Sequence, residues 1–316
     1  MVTNTVTPQS QQVAGQRPNP ALANQTGIPF APSVTRVPPP QRPKGRVGHR
    51  IRFWLGLLLL VAGVAIAGVW AWNTFGTTWV VQQQQEAAIE EFVAAIPPAP
   101  QAIVEHSVLI RDFEEHPPPV IDMDALAIGE VFGILTVPSW QDQEGVFNEA
   151  IRNRILVKQG GFTEAETNRV LNTGAAAHYY ETAGPGELGN FSLSAHRRSY
   201  GDNFLHLNEL RDGDWVLLET ELAWYIYRVF GDGDIVLPTD IHVIDPDPFA
   251  LVGSEGAQTP TRRLLTMTTC TLPNGSPWGN SHRWIVHAEL YGWMLRSAGV
   301  PPMIDHYWDV TAEELS

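Results

Sequence analysis

The stretch Leu264-Leu265-Thr266-Met267-Thr268-Thr269-Cys270 is the part of the chain that is most informative about the fold. Apolar and β-branched residues fill it, and Pro273-Asn274-Gly275 follows shortly after, which predicts a strand that ends in a turn. Cys270 would then lie at the tip of this strand, where a side chain can project from a rigid scaffold into a cleft.

Similar short apolar runs alternate with turn residues on both sides of this strand. They cover 133–137, 215–218, 223–229 and 284–290. Gly213 in the Arg-Asp-Gly-Asp turn, and Gly231 and Gly233 in the Gly-Asp-Gly-Asp turn, supply residues that tolerate a positive φ. The pattern predicts a mainly β domain, built as a closed or nearly closed β-barrel with short helices.

One short helix is indicated inside this region. Thr163 and Glu166 have the spacing of a capping box, which predicts a helix that begins there, and Gly174 is typical of a residue that closes it.

An apolar segment near the N-terminus predicts a membrane anchor. Residues 53–72 carry no charge over 20 residues, long enough to cross about 30 Å of hydrocarbon as a helix. Lys44, Arg46, Arg50 and Arg52 precede it, whereas the first charge after it is Glu86, so the positive-inside rule places the N-terminus in the cytoplasm and the rest outside. A cleaved signal peptide is the alternative, but 52 residues precede the apolar run and no small-residue cleavage site clearly follows it.

Charge divides the chain at the same place. Residues 1–52 contain seven Lys and Arg, no acidic residue and nine prolines, whereas the remaining 264 residues contain 13 Lys and Arg against 34 Asp and Glu. The first segment is interpreted as a disordered cytoplasmic tail, because it cannot bury enough apolar surface to fold. The acidic remainder argues against nucleic acid as a partner, and a single cysteine excludes a disulfide-stapled scaffold.

The predicted organisation is therefore a tail over 1–52, a transmembrane helix over 53–72, an extracellular spacer over 73–124 and a folded domain over 125–316. Within the spacer, residues 80–95 are interpreted as a helix that Pro97 and Pro98 end.

The lone cysteine has two interpretations. A lone cysteine is most often a small buried hydrophobe. A nucleophilic cysteine instead needs a histidine or cationic neighbour, because a free thiol is mostly protonated at neutral pH. His196-Arg197 and His282-Arg283 both offer such groups.

Three parts of the chain resemble sortases, the membrane-anchored cysteine transpeptidases of Gram-positive bacteria. The stretch from Tyr179 to Arg197 is similar to the region around their catalytic histidine, and Thr266–Cys270 is similar to their TLxTC box. Arg283 follows 13 residues after the cysteine, where the family has its arginine. The resemblance covers about residues 126–300 and implies the closed eight-stranded barrel of that family.

The resemblance also implies a set of functional residues. Cys270 would be the nucleophile, His196 the acid and base, and Arg283 the cation that stabilises the oxyanion. The enzyme would cleave an LPxTG-like signal between Thr and Gly and transfer the surface protein to an amine of a cell-wall precursor or a pilin. The residues expected to bind substrate are Tyr179, Ala195, Thr268 and Thr269, and the stretch 250–263 matches the family's mobile substrate loop.

Two positions depart from the family pattern. Ala195 stands where sortases usually have Gly, and Met267 stands where Leu is usual, although Leu to Met conserves volume. The His178-Tyr179 pair and Thr269 look most like class E sortases of actinobacteria. In that class a tyrosine matching Tyr179 implies a preference for LAxTG over LPxTG.

Other readings of the ionisable residues stay open. His282 and His287 lie on opposite faces of the predicted strand, which argues against a metal pair. Acidic groups such as Asp245 and Asp247 lack EF-hand spacing, so no cofactor is assigned, although calcium remains an option. A membrane-anchored binding or adhesion module with a structural cysteine is the alternative function. A papain-like thiol hydrolase is disfavoured, because its cysteine would begin a helix.

Overall fold

The computed structural model describes residues 46–140 and 154–304. Residues 1–45 of the tail predicted over 1–52 therefore lie outside the described residues. Residues 305–316 of the predicted folded domain also lie outside them. Two α-helices precede the barrel, α1 (Arg46–Ala71) and α2 (Thr77–Ala95), with a π-helical turn at Trp72–Gly76 between them. A third, α3 (Glu164–Leu171), lies within it.

Nine strands are described. They are β1 (Val131–Thr136), β2 (Arg154–Gln159), β3 (Ala176–His178), β4 (Gly189–Ser194), β5 (Trp215–Glu219), β6 (Ala223–Val229), β7 (Asp234–Val236), β8 (Arg263–Thr271) and β9 (His282–Leu295). Short 3-10 helices lie before, between and after the strands, at His106–Val108, Met123–Ala125, Pro138–Trp140, Leu207–Glu209, Ile241–Ile244, Glu255–Gln258, Arg296–Ala298 and Pro302–Ile304.

Eight of these described strands form a closed ring. The order is β6-β5-β1-β2-β3-β4-β8-β9, and pairing of β6 with β9 closes it, which confirms the expected eight-stranded barrel. Strand β7 adds to the outer part of β9. The sheet is mixed, because β2 pairs with β3, and β4 with β8, in parallel.

Alternation along β8 explains what faces the barrel interior. Leu265 and Met267 belong to the main core cluster and are fully buried. Successive residues of a strand point to opposite faces, so Thr266, Thr268 and Cys270 share the other face. The strand that the sequence predicts therefore carries both the core of the barrel and the candidate nucleophile.

The sequence pattern located some elements better than others. The five predicted runs lie on β1, β5, β6, β8 and β9, whereas β2, β3, β4 and β7 were not read as strands. The capping box is present, with Thr163 as N-cap of α3. Gly213 and Gly231 have positive φ as expected, but Gly233 does not: a Cβ there would lie 2.4 Å from the Trp284 indole nitrogen, so space requires the glycine.

The segment interpreted as a spacer is tied to the barrel. On α2, Ile89 packs in a cluster with Ile134 and Leu156. Further along, Ile110 forms a bridge with Trp293, and the Tyr225 hydroxyl donates a hydrogen bond of 2.5 Å to the Pro119 carbonyl. The sequence pattern did not indicate these contacts, because isolated apolar residues in an irregular stretch have no periodicity.

Helix α1 is the part of the described chain that fits a membrane. It is long and apolar enough to cross one by length and composition, with a mean hydropathy of 2.3 over its most apolar window, and that window is not buried in the protein. Large apolar side chains such as Leu58, Leu60 and Ile66 are more than 60% exposed. A membrane anchor is thus supported, while its orientation stays a prediction.

Burial of His178 makes the barrel sensitive to acid. Its ring is fully buried, with Nδ1 2.8 Å from Gln159 Oε1, and burial lowers the pKa of the imidazole from 6.5 to about 4. The unfolded chain therefore binds a proton at a pH where the folded chain does not. We expect the free energy of unfolding to fall between about pH 6.5 and pH 4, by on the order of 3 kcal/mol for this group.

Urea unfolding of the full chain in detergent at pH 7, 5.5 and 4 would measure this. His178→Gln should show a shallower decline than the wild type, whereas replacing the exposed His116 with Gln should leave it unchanged. Equal declines in the wild type and His178→Gln would contradict the assignment.

Candidate active site

A cleft of about 460 Å³ opens at one edge of the barrel. All seven residues singled out from the sequence line it: Tyr179, Ala195, His196, Thr268, Thr269, Cys270 and Arg283. The structure thus brings together residues that are more than 100 positions apart in the chain.

Strand register produces this convergence. The parallel pair β4 and β8 aligns Ser194 with Thr268, so the chain leaves β4 beside the end of β8. The Ala195 N–H donates to the Thr268 carbonyl at 3.3 Å, and the Thr269 hydroxyl donates to the Ala195 carbonyl at 2.8 Å. These two bonds fix the position of Ala195, so that the next residue, His196, lies in the cleft. On the other side, antiparallel pairing places Arg283 opposite Cys270.

Cys270 is half-buried and free, near the end of β8 as the sequence predicts. A buried cation lies close to it. Arg197 is 2% exposed, and its guanidinium donates hydrogen bonds of 2.7 Å to Thr271 Oγ1 and to Asn208 Oδ1. An ionised Cys270 would interact favourably with this charge.

His196 is held by two neighbours that the sequence did not single out. Its Nε2 lies 2.9 Å from Asn172 Oδ1, and its ring stacks on that of Tyr200 with centroids 5.4 Å apart and planes 29° apart. Because an amide oxygen only accepts, the Asn172 bond keeps the proton on Nε2 and leaves Nδ1 as the basic nitrogen. Burial lowers the pKa of His196 to about 4, so the ring is neutral at pH 7.

Arg283 brings a permanent positive charge to the cleft. Its Nη1 donates to the carbonyls of Asn280 at 3.0 Å and His282 at 3.1 Å. Within the described residues these bonds orient the guanidinium through neutral oxygens, and no ion pair to Arg283 is formed there. A permanently charged guanidinium that is oriented by neutral carbonyl oxygens can stabilise a developing oxyanion.

Tyr179 forms part of the cleft wall. Its hydroxyl lies 2.8 Å from Thr268 Oγ1, which ties the residue that follows β3 to the strand that carries the cysteine. Ala195 also lines the cleft, but it is only 4% exposed and packs in the main core cluster, so it contributes little open surface there.

The candidate metal ligands do not form a site in the described part of the chain. No group of three or more His, Cys, Asp or Glu side chains is placed there to hold an ion. His287 instead lies 2.8 Å from Thr266 Oγ1, with its pKa lowered to about 4, mainly by burial. His282 contacts the Ser281 hydroxyl at 3.0 Å.

Asn172 and Tyr200 are the functional candidates that sequence reasoning missed. Arg197 was named there as a possible cationic neighbour of the cysteine but was given no role. Asn172 follows α3 as its C-cap, and Tyr200 lies in an irregular loop, so neither belongs to a periodic pattern. The one available signal was their proximity in sequence to Gly174 and His196.

A β-barrel whose cleft joins a cysteine, a histidine and an arginine is the arrangement of a cysteine transpeptidase. The profile of the sortase domain matches residues 149–291. Sortase SrtE1 of Streptomyces coelicolor is 31% identical over 140 residues, which are 43% of this chain and 37% of that protein. The chain therefore spans well under half the length of this curated relative.

Solved structures of sortases are also similar. SrtA sortase from Actinomyces oris is 35% identical, with 58% of this chain and 92% of that chain covered and a TM-score of 0.49. Sortase E from Streptomyces avermitilis is 32% identical, with 56% and 99% covered and a TM-score of 0.44. Because the chain is 35% and 32% identical in sequence to these two sortases over nearly their whole length and matches the sortase domain, it belongs to the sortase family.

The Asn172 contact makes a prediction about the histidine. Replacing Asn172 with Asp puts a carboxylate 2.9 Å from the imidazole, and an adjacent negative charge favours the protonated ring. We expect the pKa of His196 to rise above about 4 in Asn172→Asp, measured by NMR titration of labelled histidines with His196→Gln to assign the signal. An unchanged titration would show that the contact does not persist in solution.

Proposed function

We propose that the chain is a membrane-anchored sortase transpeptidase that cleaves an LAxTG- or LPxTG-like sorting signal between Thr and Gly. The observation that carries the proposal is the convergence of Cys270, His196 and Arg283 on one cleft. A binding module with a structural cysteine has no need for a half-buried thiol beside a neutral imidazole and an uncompensated guanidinium.

The chemistry follows from the state of each group. As the Cys270 sulfur attacks the Thr carbonyl carbon, the neutral His196 ring accepts the thiol proton. The resulting imidazolium protonates the departing glycine amine, and Arg283 stabilises the oxyanion of the tetrahedral intermediate. The C–N bond breaks, and the acyl group remains on sulfur as a thioester.

An amine then resolves the thioester, with His196 acting as the base. The proposed acceptor is an amine of a cell-wall precursor such as a lipid II-like molecule, and a pilin lysine is the alternative. Sorting-signal-bearing surface proteins are the proposed substrates. The resemblance to class E sortases implies alanine at the second position of the signal, and Tyr179 in the cleft wall is the proposed determinant.

The proposed location is the cell membrane, with a single pass over residues 53–72, a cytoplasmic N-terminus and an extracellular catalytic domain. The basic residues that precede the apolar run 53–72 support this orientation. The catalytic domain proposed over 125–316 contains every described strand of the barrel.

Mass spectrometry of the full chain in detergent micelles tests the reaction. Incubated with LAxTG and LPxTG peptides and a glycine or diamine nucleophile, the wild type should release the Gly-containing fragment and join the peptide to the amine. Cys270→Ala should abolish the product with the fold intact, and His196→Ala and Arg283→Ala should reduce kcat/KM by at least about 100-fold, the usual scale for a general acid or an oxyanion donor.

Product formation by Cys270→Ala would overturn the assignment. Failure of both peptides with a thiol that iodoacetamide alkylates in the folded protein would narrow the proposal to a different signal. Failure with an unreactive thiol would favour the binding module.

Tyr179 is expected to set the preference between the two peptides. Removing its ring in Tyr179→Ala enlarges the cleft beside Thr268, so the ratio of kcat/KM for LAxTG to that for LPxTG should fall. An unchanged ratio in competition assays would assign the discrimination to another part of the cleft. Thr163→Ser, at another residue that lines the cleft, serves as a control for general effects on the cleft.

A further inference from the structure

Four successive residues after the candidate catalytic histidine adopt a left-handed backbone. The φ angles of Ser199, Tyr200, Gly201 and Asp202 are 68°, 49°, 105° and 53°. Only Gly201 lacks a Cβ, and the other three crowd their own carbonyl oxygens in this conformation. Such a backbone persists where its surroundings hold it in place. This 199–202 loop therefore needs support from elsewhere in the chain.

The loop holds His196 on one side, and the end of α3 holds it on the other. Tyr200 supplies the ring that stacks on the imidazole, and Asn172 supplies the acceptor for Nε2–H. Both segments must keep their places for the imidazole to keep its orientation towards the cleft.

Helix α2 contacts the loop through two neighbouring threonines. The backbone N–H of Tyr200 donates to Thr77 Oγ1 at 3.4 Å, and that of Gly201 donates to Thr78 Oγ1 at 3.5 Å. The Thr78 hydroxyl donates in turn to Asp202 Oδ1 at 3.4 Å. Each bond is long, but Thr78 is 1% exposed, so water does not compete for its hydroxyl.

The same helix contacts the segment that carries Asn172. Two residues beyond Asn172, a Cβ on Gly174 would lie 2.2 Å from Val81 Cγ1 of α2 and 3.0 Å from the Tyr200 carbonyl oxygen. Because Gly174 has no side chain, α2, the segment that follows α3 and the 199–202 loop can pack against one another at this position. The Asn203 side-chain amide also donates to the Gly174 carbonyl, which joins the two segments directly.

We propose that α2 is a positioning element of the active site. Through Thr78 it holds the 199–202 loop, through Val81 it packs on Gly174, and through both it fixes the orientation of the His196 imidazole. Thr78 acts through these contacts and does not touch substrate. The inference rests on the proposed function for the catalytic role of His196. Because α2 continues from the apolar helix through the π-helical turn Trp72–Gly76, the segment that anchors the chain also organises its cleft.

Thr78→Val tests the proposal in the full chain in detergent micelles, because it removes one hydroxyl and keeps the shape of the side chain. Thr78→Ser retains the hydroxyl and is the rescue variant. Gln84→Ala, on the exposed face of α2, is the matched control. One readout is the rate at which iodoacetamide alkylates Cys270 as a function of pH, since Cys270 is the only cysteine in the chain and a moved imidazole changes its reactivity.

The second readout is kcat and KM for peptide transfer. Thr78→Val should lower kcat about 3- to 10-fold, the scale of one hydrogen bond, with little change in KM, and should shift the alkylation profile. Thr78→Ser should restore both, and Gln84→Ala should match the wild type. Thr77→Val, which removes the other α2 hydroxyl that accepts from the loop, should shift the alkylation profile in the same direction and covers the case in which Thr78→Val fails to fold.

A lower unfolding midpoint in Thr78→Val with an unchanged alkylation profile and kcat would overturn the proposal, since α2 would then contribute packing alone. If the wild type transfers no peptide, the proposed function fails separately. The alkylation profiles of Thr78→Val and Thr77→Val still decide whether α2 positions the imidazole.

Discussion

The parallel pairing of β4 with β8 is the constraint on which the site depends. It brings the end of one strand beside the end of another that lies 74 residues later, so that Ala195 and Thr269 bond directly. The antiparallel pairing of β8 with β9 then sets Arg283 opposite Cys270. Cys270, His196 and Arg283 converge because the pairing of β4 with β8 and the pairing of β8 with β9 are each fixed in register. A slip of one residue in β8 would turn Cys270 towards the core and Met267 outwards.

The electrostatics of the cleft suit a reaction that begins from neutral partners. Burial keeps the His196 imidazole unprotonated at neutral pH, while Arg283 and the buried Arg197 surround the cysteine with positive charge. Positive charge stabilises the oxyanion that develops on the substrate carbonyl, and a neutral imidazole can accept the thiol proton as the sulfur attacks. The same burial that suits the chemistry destabilises the fold in acid, because buried neutral histidines resist protonation.

The strands that carry a strong local pattern could be predicted, and those that depend on tertiary pairing could not. β6 was located to its exact ends, and Cys270 was correctly placed near the end of β8. By contrast, β3 has three residues and β4 reads Gly-Asn-Phe-Ser-Leu-Ser, which is too polar for an apolar run. The site residues were identified through resemblance to a family. Asn172, Tyr200 and Thr78 were missed, because their roles arise from contacts between segments far apart in the chain.

Capture of the acyl intermediate tests the central claim most directly. The full chain would be mixed with an LAxTG peptide without an amine acceptor, quenched in acid within seconds and measured by intact-mass spectrometry. The account predicts an added mass equal to the peptide up to its threonine, attached at Cys270, removed by hydroxylamine and absent in Cys270→Ala. Cleavage of the peptide with no such adduct, or an adduct on another residue, would contradict it.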